Sequence, residues 1–268
     1  MTMGNEAFRY DGKRTLVVGA ATGMGAATAR AVTSLGGEVI ALDVAPIPYA
    51  AKQSVRCNLA DLASVDAALA EISGPLDAVF LCAGVADGNP HLMKINFISQ
   101  RHLLERLVER GALQRGAAVA LISSVAGMGW QANLPALKEF MALADWIAAS
   151  AWIESHPGTN TYSFSKQAMN FYAAQQAFPL LKRGIRINTI EPGPTDTPLA
   201  RANADIWLRF GKTYREDAGV PTLTPEQMAD VLVFLCSPAA SGINGISLLV
   251  DQGLVSSGIA GSFTKPPM

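Results

Sequence analysis

The chain has 268 residues, half of them hydrophobic and 16% charged, with a formal net charge of −1. That is enough apolar material for a large buried core and too much for a disordered chain. The near-neutral balance offers no electrostatic footprint for nucleic acid or an anionic membrane, and three scattered cysteines (Cys57, Cys82, Cys236) without a CxxC pair argue against a disulfide framework or a metal site.

Residues 1–14 carry charges and no apolar leader segment, so they do not read as a signal peptide. Residues 15–20 (TLVVGA) read as a first strand and 24–35 as a helix. Residues 38–43 (EVIALD) are a second strand, 63–72 a helix, and 77–82 (DAVFLC) a third strand. A helix over 96–110 precedes a fourth strand at 117–123 (AAVALIS). A long helix over 161–182 leads to a fifth strand at 185–191 (IRINTIE). A helix at 225–235 and a last strand at 246–251 (ISLLVD) close the series. The charge-free stretch 116–137 contains serines, glycines, Gln131, Asn133 and Pro135, so it reads as a buried strand running into a loop rather than a membrane span. Strands apolar throughout and separated by helices predict an α/β fold with a doubly wound, Rossmann-like parallel sheet. No linker, repeat or low-complexity tract divides it, so residues 1–268 read as one domain.

Ligands in such sheets bind beyond the carboxyl ends of the strands. After the first strand comes Gly19-Ala20-Ala21-Thr22-Gly23-Met24-Gly25, opening a helix. Glycines there allow a tight turn and let backbone N–H groups approach a pyrophosphate at a helix N-terminus. Asp43 ends the second strand, where a carboxylate can bind the adenosine ribose hydroxyls and repel a 2′-phosphate. This points to NAD rather than NADP. Tyr162 and Lys166 sit four apart, on one face of the long helix. A phenol has a reference pKa of about 10, and an ammonium ~5 Å away at an effective dielectric of ~20 favours the phenolate by about 3 kcal/mol. That brings Tyr162 towards proton-transfer chemistry.

With GxxxGxG, Asp43, LCAG at 81–84, ISSVAG at 122–127 and PGPTDT at 192–197, the order and spacing resemble the short-chain dehydrogenase/reductase family in its single-domain form. Within it the chain looks most like the bacterial 3α-hydroxysteroid dehydrogenase group, on ISSVA, the long stretch before YxxxK and the run 237–241. The resemblance implies that Tyr162 is the general acid/base and that Lys166 binds the nicotinamide ribose and lowers the Tyr162 pKa. It implies that Ser124 bonds the substrate oxygen, with Ser123 the rival if the register slips, and that Asn96 kinks its helix to hold a relay water. Gly19, Thr22, Gly23, Met24 and Gly25 would take the pyrophosphate, Asn58 and Leu59 the adenine, and Ala83 and Gly84 the cofactor's middle. Pro192, Gly193, Thr195 and Thr197 would meet the carboxamide end, and Ile190 the nicotinamide face. Asn58 stands where the family has an acid, and Leu81-Cys82 replace two asparagines.

The implied activity is a metal-free, NAD(H)-dependent interconversion of a secondary alcohol and a ketone, with a hydroxysteroid or another bulky apolar alcohol as substrate. A non-catalytic NAD-binding redox sensor and an NAD-dependent epimerase or dehydratase are the competing readings. Both YxxxK residues are present, against the first. Only about 15 residues follow the last strand, too few for the sugar-nucleotide domain of the second. The scattered, unpaired cysteines suit a reducing cytoplasm, and the resemblance implies a homo-oligomer. Between Ser124 and Tyr162 lies an insertion, about 128–160, with apolar residues at helical spacing. It predicts a helical hairpin that walls the substrate pocket with Trp130, Trp146 and Trp152, and that restricts pairing along the Tyr162 helix, so that a dimer is favoured over a tetramer. Residues 198–222 predict a lid.

Overall fold

The computed structural model describes residues 5–264. Seven parallel strands form one sheet in the order β3-β2-β1-β4-β5-β6-β7. They are β1 (Arg14–Val18), β2 (Glu38–Asp43), β3 (Gln53–Arg56), β4 (Leu76–Leu81), β5 (Leu113–Ile122), β6 (Arg186–Pro192) and β7 (Ser247–Val250). Central strands are buried on both faces, as their unbroken apolar runs require. β3 was not expected from the sequence: its residues alternate in burial and only Val55 is fully inside, so QSVR reads as a polar connection until it pairs with β2 at the sheet edge.

Helices cover both faces. On one side lie α1 (Gly23–Ser34) and α10 (Pro225–Cys236), around a core containing Val17, Val32, Phe80 and Met228. The other side carries α2 (Leu62–Glu71), α3 (Ser99–Glu109), α6 (Tyr162–Lys182) and the insertion. β1 lies between β2 and β4, so successive crossovers leave it in opposite directions. That reversal opens the crevice at the carboxyl end of the sheet. Among the described residues no helix is long and apolar enough to cross a membrane.

The insertion forms two helices, α4 (Leu134–Met141) and α5 (Trp146–Ser155). Pro135 starts α4, and the Asp145 carboxylate caps α5 by accepting from Ala148 N at 2.9 Å. Leu137, Phe140, Met141, Trp146, Trp152 and Ile153 are buried. Phe140 meets Phe97, Trp152 and Phe164 with ring centroids 5.7, 5.1 and 5.9 Å away. The hairpin therefore clads the outer face of α6 and α3. The expected pocket wall is not there. Trp130 packs on Phe171, Trp146 on His102 and Trp152 on Phe164, so all three tryptophans belong to this outer layer. An apolar helix buries its stripe against the largest apolar surface within reach, and that surface is the long helix.

Beyond β6 the chain forms three short helices, α7 (Pro198–Arg201), α8 (Ala204–Trp207) and α9 (Lys212–Ala218). After β7 comes α11 (Leu254–Ala260), which the sequence pattern did not reveal.

Candidate active site

A cavity of about 900 Å³ opens along the carboxyl ends of the strands. Its first wall is the glycine turn. Gly19 has φ +81°, and a Cβ there would lie 2.6 Å from the Ala83 backbone; a Cβ on Gly25 would lie 2.0 Å from the Gly19 carbonyl oxygen. No side chain fits at either place. Thr22 gives α1 no side-chain cap, so the first-turn N–H groups face the cavity beside Thr22, Gly23 and Met24. The Asp43 carboxylate is fixed by Ala21 N at 2.8 Å and Ala45 N at 3.0 Å. A donor-rich helix terminus beside an oriented carboxylate suits a dinucleotide's pyrophosphate and ribose. Asn58, Leu59, Ala83 and Gly84 line the same space, with the Asn58 side chain folded onto Ala60 N at 3.1 Å. Cys82 lines it too, and burial pushes its thiol up to about 12, leaving it a neutral packing group.

Tyr162 begins α6. The Thr161 side chain caps that helix, and the Tyr162 N–H donates to Asp87 Oδ1 at 2.7 Å. One turn on, Lys166 is buried; its Nζ donates to the Ile122 carbonyl at 2.7 Å and sits 5.3 Å from the Tyr162 ring centroid. Ser124, Tyr162 and Lys166 line one stretch of the cavity. The Ser123 hydroxyl instead donates to the Lys166 carbonyl at 3.0 Å, fastening the strand end to α6. Of the two serines, Ser124 has the freer hydroxyl.

The expected lowering of the Tyr162 pKa is absent. Burial pushes the phenol up to about 12, Asp87 adds to the rise, and a hydrogen bond with Ser124 opposes it. Burial also drives Lys166 down to about 7, so its ammonium supplies only part of a charge at neutral pH. Desolvation is the largest cause of both shifts.

Asn96 is buried in a π-helical turn over Lys94–Ile98. Its amide grips Val85, accepting from the N–H at 2.8 Å and donating to the carbonyl at 3.0 Å, and its Nδ2 also donates to Ser165 Oγ at 3.2 Å. Sequence reasoning expected an α-helix there. The wider turn shifts carbonyls out of the ladder, and Gln100 Nε2 donates to Ile95, Asn96 and Ala83 carbonyls at 3.1, 2.8 and 3.0 Å. Gln100 was missed because a polar residue early in a helix carries no distinctive signal.

Pro192, Gly193, Thr195 and Thr197 line the far wall. Thr195 Oγ1 donates to the Gly193 carbonyl at 2.9 Å, and Thr197 caps α7 by accepting from Ala200 N at 3.0 Å. Ile190 lies one register short of the cavity, buried in the sheet core, and does not line it as expected. Val85, Ile95, Met128, Ile206, Trp207 and Phe210 give the wall an apolar stretch, with Asp87 beside it. The Trp207 ring packs on the Tyr162 ring, centroids 4.7 Å apart. Asp87 and Trp207 lie outside any motif, one in a turn and the other at the end of the four-residue helix α8, whose courses the sequence pattern does not specify.

A doubly wound sheet with a glycine turn, a strand-end carboxylate and a tyrosine–lysine pair on one cavity defines an oxidoreductase of the nicotinamide-cofactor class. The chain belongs to the short-chain dehydrogenase/reductase family: a family model described as enoyl-(acyl carrier protein) reductase matches residues 19–255. It is 28% identical to a coniferyl-alcohol dehydrogenase of a Pseudomonas strain over 251 residues, 91% of this chain and 97% of that protein. It is 30% identical to a 3α-hydroxysteroid dehydrogenase/carbonyl reductase of Comamonas testosteroni over 259 residues, 89% and 95% of the two chains. Among solved structures it resembles a 3α-hydroxysteroid dehydrogenase from Pseudomonas sp. B-0831 complexed with NADH, at TM-score 0.75 and 26% identity, covering 94% of this chain and all of that one.

Proposed function

We propose that the protein interconverts a secondary alcohol and a ketone with NAD(H), preferring it to NADP(H), and that Tyr162 handles the proton. The observation that carries this reading is the shared cavity: the glycine turn and Asp43 at one end, Ser124, Tyr162 and Lys166 at the other. Bound there, the nicotinamide cofactor supplies the hydride acceptor or donor.

The chain's residues do the rest. Gly19, Thr22, Gly23, Met24 and Gly25 hold the pyrophosphate, and Asp43 the adenosine ribose. Asn58 and Leu59 meet the adenine, Ala83 and Gly84 pack beneath, and Lys166 holds the second ribose. Pro192, Gly193, Thr195 and Thr197 shape the carboxamide end through their backbones, because both threonine hydroxyls are engaged locally. Ser124 orients the substrate oxygen. The buried phenol keeps its proton at neutral pH, which suits donation to a carbonyl oxygen; the oxidative direction runs through the phenolate, which the Ser124 hydrogen bond favours and which accepts the alcohol proton. Asn96 is a positioning residue that fixes Val85 beside the site.

The apolar wall supports a bulky apolar substrate, with the hydroxysteroid-type relatives as precedent. Residues 198–222 act as its lid and 128–160 as a structural insertion of a single domain. Free thiols at Cys57, Cys82 and Cys236 suit a reducing cytoplasm. The hairpin over α6 favours a dimer over a tetramer. Tyr162→Phe tests the core of the proposal: turnover is abolished while NADH binds within a few fold of wild type. Retention of more than about a tenth of the wild-type kcat would remove Tyr162 as the acid/base.

A further inference from the structure

Three charged side chains line the cavity: Asp43, Asp87 and Lys166. Asp43 stands at the glycine-turn end, fixed by two backbone amides. Lys166 is buried, its Nζ committed to the Ile122 carbonyl. Near the phenol the lining carries two ionisable groups: Asp87, whose carboxylate accepts from the Tyr162 N–H and acts on its ring electrostatically, and Lys166, 5.3 Å from the ring centroid, whose positive charge is reduced because burial drives its pKa down to about 7.

Among the described residues no arginine or histidine joins the lining, and the Lys166 ammonium offsets Asp87 only in part. Cations on the neighbouring short helices are engaged elsewhere. Arg201 pairs with Asp196 at 2.6 Å, and Arg215 donates to the Phe210 and Leu208 carbonyls at 2.8 and 2.6 Å. Arg209 is exposed and does not line the cavity. A carboxylate or phosphate ester entering here would meet a like charge beside apolar walls, where electrostatic interactions are screened less than in bulk water.

The second observation is Trp207. Its ring meets the Tyr162 ring with a centroid separation of 4.7 Å and an interplanar angle of 40°. Ile206, beside it on α8, is 72% exposed although it borders the cavity. A flat aromatic face next to the phenol, flanked by an apolar side chain held in solvent, offers a platform for a ring and gains buried area when one arrives.

We infer that the substrate is an uncharged, ring-bearing alcohol or ketone, its ring taken by Trp207, and that Asp87 turns away analogues bearing a carboxylate or phosphate. This rests on the dehydrogenase reading only for where the reacting carbon sits. The step is the one already proposed: a ring C–H and its O–H are lost as hydride and proton, or regained.

The test uses a matched pair, ethyl 4-oxocyclohexanecarboxylate and its free acid, on the full chain with NADH at pH 8. Binding is read by calorimetry and turnover by NADH absorbance. Wild type should bind the ester at least about tenfold more tightly than the acid. Asp87→Asn keeps an acceptor for the Tyr162 N–H and removes the charge, so the ratio should fall about fivefold. Trp207→Ala should weaken the ester about tenfold. Equal binding of ester and acid by wild type, a ratio unmoved in Asp87→Asn, or ester binding unmoved in Trp207→Ala overturns the inference. Charge-selective binding without turnover leaves it standing and removes the Tyr162 reading; turnover with charge-blind binding does the reverse.

Discussion

Single residues decide two properties that can be measured without knowing the substrate. The Asp43 carboxylate is already oriented by Ala21 N and Ala45 N, so in the proposed role it would meet a ribose diol without reorganising and a 2′-phosphate with repulsion. NAD+ should exceed NADP+ in kcat/KM by about a hundredfold, roughly 3 kcal/mol, and Asp43→Ser should cut that ratio at least about tenfold. Comparable values for the two cofactors in wild type would take Asp43 out of that role. Behind the site, Glu191 on β6 is buried, accepts from Asn170 Nδ2 at 2.5 Å and has its pKa pushed up to about 7, by burial first and by Asp251 second. Asn170 also donates to the Gly127 carbonyl at 3.1 Å, so this network underpins the loop that starts at Ser124. A carboxyl whose folded pKa is raised costs stability as pH climbs from the unfolded value, near 4.5, through 7. Glu191→Gln keeps an acceptor for Asn170 and escapes that cost. Its stability relative to wild type should therefore improve by roughly 2–3 kcal/mol between pH 5 and pH 8, read by urea denaturation at both. A pH-independent difference would mean that Glu191 is not the group titrating.

At the scale of elements, the insertion does not take the place its sequence suggests, and the short helices after β6 line the cavity instead. The apolar spacing over 128–160 was legible, and so was a helical hairpin. Its target was not, because periodicity marks which face is buried and says nothing of what buries it. The tryptophans that suggested a ligand wall are ring-on-ring partners of Phe140, Phe164, Phe171 and His102. Helix α8, with Trp207 on Tyr162, supplies the aromatic surface instead. Trp152→Ala should then cost about 3–5 kcal/mol of stability, because it opens a cavity between α5 and α6 and leaves Glu139 without the indole N–H it accepts at 2.8 Å. Its kcat/KM should stay within about twofold of wild type at a temperature where the variant is folded. A large loss of activity with little loss of stability would return the hairpin to the pocket.

At the scale of the molecule, the glycine turn, Asp43 and the YxxxK pair were legible because each is bound to a strand end by chemistry. A tight turn needs Gly19, a ribose needs an acceptor, and a helical face needs four-residue spacing. Residues reaching the cavity from turns and very short helices, Asp87 and Trp207 above all, were not legible, since their positions depend on how those segments are packed. The edge strand β3 escaped for a related reason, since pairing rather than local propensity creates it, and the π-helical turn at Asn96 was foreshadowed only by the kink that the family resemblance implies. One feature of the assembled sheet sets a timetable. The turn after β1 presses on the turn after β4, with Gly19 against Ala83, although the two residues are 64 positions apart in the chain. The cofactor cradle therefore comes into being only after two βα crossovers have closed and the sheet centre has zipped, a non-local and slow event. Cofactor present during refolding arrives too late to nucleate anything, whereas cofactor on the finished cradle must leave before the sheet can part. In stopped-flow denaturant jumps, NADH at about a hundred times its Kd should slow unfolding up to about a hundredfold and leave the refolding rate unchanged.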